Sequence, residues 1–404
     1  MSEDHNSNFK QTPVGQIPIN WDIDRVKQVG KVQTGSTPST RDSSNYGGPF
    51  CFVTPADMGS AKYIRRTERT LSAKGFQSSR KLPAGAILFA CIGSTIGKVG
   101  IASTVLTCNQ QINSIICDDK HDSEYIYYEL ERRSRRIRLL AGEQAVPIIN
   151  KSTFENIFLA SPPLAEQRAI ASILSTWDTA IETLASLIHH KDLRRKALMQ
   201  QLLSGKKRLP GFKEPWTGRR LGDFFDERTE TGRADLPLLS ITGDRGVVPQ
   251  TETDKRDNST EDKSDYKRIA VGDIGYNTMR MWQGRSALSF HEGIVSPAYT
   301  IAIPRKNADG PFFAYYFKWP PVVHLFFRNS QGLVKDTLNC KFPQFASIHV
   351  RVPEKDEQAC IASVLSECDR EINLLEMKMA LLQTEKRGLM QKLLTGQIRV
   401  KGGK

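Results

Sequence analysis

The sequence predicts an α+β protein built as an internal, pseudo-twofold repeat, with two β-rich mixed globular domains and two long pairing helices. Three observations carry this prediction. Two segments match without a gap at an offset of 191 residues, both hold an apolar heptad seam, and a run of short strand-like stretches precedes each.

The first globular segment contains strand-like Phe50-Cys51-Phe52-Val53, Ala86 to Ile92 and Ile112 to Cys117, then a helix pattern from Asp122 to Leu140 that starts at a polar cap. The first repeated helix follows Pro162-Pro163 and stops at Gly205. The second globular segment holds strand-like Leu236 to Ile241, Ala298 to Ile303 and Ile348 to Val352, and the second helix runs from beyond Pro353 to Gly396. The resulting divisions are 1–162, 163–205, 206–352 and 353–404.

In the repeat, Glu166-Gln167 lies over Glu357-Gln358, Asp178 over Asp369 and Leu198-Met199-Gln200 over Leu389-Met390-Gln391; sixteen of forty aligned positions are identical. Upstream, Trp21 before Arg25 matches Trp216 before Arg220, and Tyr127-Tyr128 is set against Tyr315-Tyr316; the intervening sequences diverge. Ile170, Trp177, Leu184 and Leu198 form one heptad series of the first helix, and Leu174, Ile181, Ile188 and Leu202 the other. In the second helix the series are Ile361, Cys368, Leu375, Leu382, Leu389 and Leu365, Ile372, Met379, Leu393, interrupted by Lys386. About 36 residues at 1.5 Å each make helices of roughly 54 Å. An Ile181→Asp change in such a seam buries an unpaired charge and is expected to cost several kcal/mol.

Composition limits the function classes. With 57 Lys+Arg against 44 Asp+Glu in 404 residues, the net charge is +13. That excess favours an anionic partner, and +6 of it falls between Lys62 and Lys81. No apolar stretch approaches the roughly 20 residues of a membrane span, and the N-terminus lacks a secretory core, so a cytoplasmic location is expected. Seven scattered cysteines without a Cys-x-x-Cys pair argue against a disulfide framework or structural zinc.

Catalytic signatures are missing. Gly93-Ser94-Thr95-Ile96-Gly97-Lys98-Val99 departs from the phosphate-loop spacing and reads as a turn between strands, while His189-His190 lacks the i, i+4 spacing of a helical metal pair. No metal site, no cofactor of its own and no catalytic residue is expected, so the chain is read as a non-enzyme.

What remains suits DNA. The cations Lys62, Arg65, Arg66, Arg69, Arg80, Lys81 and Lys98 are candidates for phosphate contact. Asn109, Gln110, Gln111, Arg280, Gln283, Asn329, Gln331 and Lys335 are candidates for base edges, because amides and cations pair bidentately with adenine and guanine. The arginine run Arg132, Arg133, Arg135, Arg136 and Arg138 fits either phosphate contact or a solvated helix face. For helix pairing and partner docking the candidates are Glu166, Gln167, Ile170, Leu174, Trp177, Ile181, Glu357, Gln358, Ile361, Leu365 and Ile372. A coiled-coil scaffold with an incidental basic surface is the alternative.

Several strings, in order, resemble the specificity subunit of type I restriction–modification systems. They are Gly35-Ser36-Thr37-Pro38-Ser39, Thr54-Pro55-Ala56-Asp57-Met58, Leu82-Pro83-Ala84-Gly85, Asn109-Gln110-Gln111-Ile112-Asn113 and Pro162-Pro163-Leu164-Ala165-Glu166-Gln167. In the second half, Tyr276-Asn277-Thr278-Met279-Arg280-Met281-Trp282-Gln283-Gly284 and Gly293-Ile294-Val295-Ser296-Pro297-Ala298-Tyr299 are similar too, although Thr278 stands where some members carry proline. The resemblance implies two target-recognition domains separated by two long helices packed as an antiparallel coiled coil, each domain reading one half of a split, asymmetric site in double-stranded DNA. It implies two copies of a DNA adenine methyltransferase subunit as partners, with restriction translocase-nuclease subunits, and places S-adenosylmethionine, ATP and Mg in those partners rather than in this chain.

Overall fold

The computed structural model describes residues 8–59, 61–142, 146–243, 245–253, 262–334 and 337–400. Five helices position the functional surfaces: α1 (Ser123–Arg138), α2 (Leu164–Leu203), α3 (Gly310–Tyr316), α4 (Pro320–Asn329) and α5 (Lys355–Leu394). The chain divides into two compact units, one of residues 1–184 with 378–404 and one of residues 185–377.

In the first unit a five-stranded sheet is built around Ile87–Ala90, which pairs with Ile112–Cys117 on one side and Val99–Ala102 on the other. Ile87, Leu88, Phe89 and Ala90 are all buried. A strand covered on both faces needs such an uninterrupted apolar run, and this one occupies the middle of the predicted Ala86 to Ile92 segment. A second sheet of four strands centres on Tyr46–Val53 and Leu106–Cys108. The phosphate-loop lookalike is a turn: Gly93–Thr95 forms a 3-10 turn, and Gly97 has φ +95°, where a Cβ would stand 3.1 Å from Ser134 Cβ of α1. Helix α1 begins where expected because the Asp122 side chain accepts from Tyr125 N.

The second unit has a four-stranded sheet in the order Phe225–Glu227, Tyr299–Pro304, Ile274–Asn277, Ser286–Leu288. Its core is aromatic, with Phe225, Phe313, Phe317, Phe326 and Phe345 fully buried and ring centroids 4.9 to 6.1 Å apart. Helices α3 and α4 supply Phe313 and Phe326, and neither helix was expected from sequence: each is too short to display a 3.6-residue period. Leu236 to Ile241 is a strand only from Leu239 onward.

The two 40-residue helices, about 60 Å each, start at Leu164, directly after Pro162-Pro163, and at Lys355, with Glu354 between it and Pro353. Within the first unit Leu393 and Leu394 of α5 share a core with Ile170 and Leu174 of α2, and Lys386 meets Asp178 farther along, so the segments run antiparallel. Within the second unit Leu202 of α2 packs with Ile361 and Leu365 of α5, while Arg195 meets Asp369, again antiparallel. The expected seam is observed: Ile170, Leu174, Leu184, Leu202, Ile361, Leu365 and Leu393 are buried, and Trp177, Ile181 and Ile372 are half-buried.

Candidate nucleic-acid interface and its mounting

Each domain is fastened to the helices by one repeated set of contacts. In the first unit the buried Trp21 donates its indole N–H to Glu166 at 3.0 Å, and Arg399 donates to both oxygens of Glu166 at 2.8 and 2.9 Å. In the second unit Trp216 donates to Glu357 at 3.2 Å and Arg208 to both its oxygens at 2.6 and 2.7 Å. Glycines ending the long helices complete the mounting. Gly396 has φ +70° and lies against Pro18 and Trp21, Gly205 has φ +69° and lies against the Trp216 ring, and a Cβ on Gly396 would stand 2.3 Å from Pro18 Cγ. Burial alone would raise the Glu166 pKa, but Arg399 and the Trp21 N–H hold it below the ordinary carboxylate value.

The neighbouring glutamines do related work. Gln167 Oε1 accepts from the backbone N–H of Asp122, the N-cap of α1, and Gln358 Oε1 from that of Asp309, the N-cap of α3. Their amide nitrogens donate to Pro162 O and Pro353 O. As partner-docking residues Glu166, Gln167, Glu357 and Gln358 therefore need correction: all four are at most 5% exposed and bind their own chain.

Farther along, Asp178 accepts from Lys386 at 2.5 Å and from the Tyr128 hydroxyl, and Asp369 accepts from Arg195 at 2.9 Å and the Tyr315 hydroxyl at 2.6 Å. Lys386 thus does not break the seam but closes an ion pair at a heptad position. The tyrosine register also needs correction, because Tyr128, not Tyr127, corresponds to Tyr315. Arg208, Arg399, Arg195 and the paired roles of the aspartates were missed in the sequence. The signal was present, since Arg208 and Arg399 are identical three residues beyond the last repeated glycine.

Among the phosphate candidates, Lys62 is corrected. It is 6% exposed, and its ammonium donates to Glu124 at 3.0 Å, Ser175 Oγ at 2.8 Å and Tyr128 Oη at 3.1 Å. Burying a lysine is expensive unless it is paired, and here the pairing ties its loop to α1 and α2. Lys98 is half-buried and donates to Pro55 O at 3.0 Å. With Lys62, Lys386 and Ile181 it lines a cavity of about 800 Å³ in the first unit. Arg132 is spent on the buried Glu129 and Arg133 lies 3.7 Å from it, leaving Arg135, Arg136 and Arg138 exposed.

Arg65, Arg66, Arg69, Arg80 and Lys81 are exposed, and none forms an ion pair among the described residues. The structure draws several of these cations toward the amide candidates. Arg80 N donates to Ser36 Oγ, Thr37 Oγ1 meets Gln110 Oε1, and Asn109 N donates to Val53 O beside the loop of residues 65–69. Asn109 also bonds Gln111 at 3.1 Å, which stiffens the turn. In the second unit Arg280 and Gln283 line one cavity. The 3-10 turn Met281–Gln283 packs on α4, where Trp282 lies 6.2 Å from Phe327. Asn329 ends α4 and donates to Leu325 O, Gln331 bridges to Asn339, and Lys335 lies outside the described residues. Thr278, at the proline position, donates through both N and Oγ1 to Ala298 O, so its loop uses an N–H that proline lacks.

No described group of three or more His, Cys, Asp or Glu side chains is placed to hold a metal ion, and no described helix is long and apolar enough to cross a membrane.

A profile described as "Type I restriction modification DNA specificity domain" matches residues 18–189. Over 180 residues the chain is 37% identical to the MjaIX specificity subunit of Methanocaldococcus jannaschii, covering 43% of this chain and 41% of that protein. Over 201 residues it is 32% identical to the HindI specificity subunit of Haemophilus influenzae, covering 47% and 42%. The chain thus spans less than half the length of these two relatives. It aligns with the MjaVIII specificity subunit of M. jannaschii at 24% identity over 98% of this chain and 96% of that one. Its fold matches the crystal structure of a type I restriction–modification S subunit from M. genitalium with TM-score 0.57 and 18% identity, covering 96% and 97% of the two chains. Together these findings make the chain similar to the specificity subunits of type I restriction–modification systems, in the specificity-domain match over residues 18–189 and in overall fold.

Proposed function

We propose that this chain is the DNA-reading subunit of a type I restriction–modification complex. It recognises a split, asymmetric site in double-stranded DNA and directs adenine methyltransferase and restriction subunits there. The observation that carries this reading is the mounting of two dissimilar domains by the same Trp–Glu–Arg contacts on repeated helices. Equivalent mounts let one architecture present two different reading surfaces, and unlike readers call for unlike half-sites. Helices of about 60 Å exceed one turn of B-DNA, about 34 Å, which suits half-sites separated by a gap.

Duplicated helices accommodate two copies of the methyltransferase subunit. In this reading the chain does no bond chemistry and works in the cytoplasm; S-adenosylmethionine, ATP and Mg serve the partner subunits. The relatives named as type I specificity subunits support the assignment, whereas an incidental scaffold leaves the two unlike domains without a task.

The test is genome-wide adenine-methylation mapping in a methylation-free bacterial host that expresses the cognate methyltransferase with and without this chain. A split, asymmetric motif that appears only with the chain is expected. An assembled complex that produces no new motif would overturn the reading.

A further inference from the structure

Arginines in the second unit are mostly spent on carboxylates. Arg228 pairs with Asp273, Arg268 with Glu230 and Glu292, Arg305 with Asp226 and Arg208 with Glu357. Arg280 and Arg285 differ. Their guanidinium groups make no hydrogen bond or ion pair among the described residues, and both face one cavity of about 380 Å³. Among the described residues its wall also holds Asn277, Gln283, Thr242 and Tyr299, and no carboxylate.

The loop carrying these arginines is held in shape. It joins the paired strands Ile274–Asn277 and Ser286–Leu288, and its two ends are tied by Asn277 N to Arg285 O and Arg285 N to Arg280 O. Met281 is fully buried beneath it, and the Trp282 indole donates to Met279 O at 3.0 Å. Gly284 turns the chain at φ +74°. Beside Arg285, Gly243 leaves space for the guanidinium, since a Cβ there would lie 2.7 Å from Nη1. Two cationic forks on a braced loop, without a hydrogen-bond or ion-pair partner among the described residues, are ready for an acceptor.

Resting on the DNA-reading assignment above, we propose that this cavity reads guanine, with Arg280 and Arg285 as the specificity-determining residues for the half-site of the second unit. The major-groove edge of guanine offers only acceptors, O6 and N7, and arginine meets both with its fork; adenine and cytosine each bring an amino donor that calls for an acceptor opposite. A concave wall holding a phenol ring and amides favours a flat base edge over a phosphate, which an open cationic surface would serve.

The test applies methylation mapping to the full-length chain co-expressed with its methyltransferase, comparing wild type with Arg280→Ala, Arg285→Ala and the matching lysine variants. Co-purification and melting temperature check assembly. The wild-type motif tests the DNA-reading assignment, and the variants test the inference. The expected result is a guanine position in one half-motif that relaxes by about 5- to 150-fold in discrimination, with the other half-motif intact. Lysine, which keeps the charge but lacks the fork, is expected not to restore it. An unchanged motif, or a uniform loss of methylation that lysine rescues, would overturn the inference by assigning the arginines no role or a phosphate role.

Discussion

Glu166 and Glu357 show how much one side chain can decide. Each is buried, each accepts from a tryptophan and an arginine, and each sits at the start of a long helix, where a negative charge is also favoured by the helix dipole. Glu166→Gln removes the charge, leaves Arg399 and Trp21 with a weaker acceptor, and is expected to lower unfolding stability by about 2 kcal/mol in a denaturant titration. The pH dependence has a defined sign. The folded pKa of Glu166 lies below the ordinary 4.5, so its stabilisation is present above that value and is lost as pH falls through the folded pKa. The gap between wild type and Glu166→Gln should therefore narrow in urea titrations between pH 7 and pH 3; a gap independent of pH would refute the charge-based mounting. Lys62 teaches the complementary lesson, since its place in a basic run pointed to solvent while three partners hold it inside. Local composition cannot distinguish these cases, because Glu124 and Ser175 are 62 and 113 residues away in sequence.

At the scale of the element, the heptad pattern foretold both helices, their seam and nearly their ends. Periodicity is legible because each seam position repeats a local geometry. The strength of each position was not legible. Leu174 and Leu365 are fully buried and should cost about 3 kcal/mol on truncation to alanine. Ile181 is half-buried and borders a cavity, so Ile181→Asp should cost less than several kcal/mol, about 1 kcal/mol, in the same denaturation assay. Asp178 outranks it. Asp178→Ala strands Lys386, whose side chain is 13% exposed, and removes a charge 3.9 Å from Lys62; we expect a loss of about 3 kcal/mol. A combined Asp178→Ala and Lys386→Met change should recover much of it, because a buried pair can be replaced by apolar groups more cheaply than it can be halved. The short helices α3 and α4 show the opposite limit, since their aromatic faces acquire meaning only from the rings they meet.

For the whole molecule, charge and repeat have separate consequences. The exposed Arg65 and Arg66, which form no ion pair among the described residues, belong to the proposed DNA surface, so the double change Arg65→Ala and Arg66→Ala should weaken DNA binding and reduce the slope of log affinity against log salt by about 2. Co-purification with the methyltransferase should not change. An unaltered slope would remove these two arginines from the interface. By itself the sequence determined the class of the fold, the duplication, the two pairing helices and the expectation of a basic, DNA-directed surface, because periodicity, identity at a fixed offset and net charge are properties of the chain read in order. Only the tertiary structure decided which charges are spent inside and which remain available. Glu166 with Arg399, Asp178 with Lys386 and Lys62 with Glu124 are separated by 233, 208 and 62 residues, and such partners are selected by folding and desolvation rather than by sequence neighbourhood.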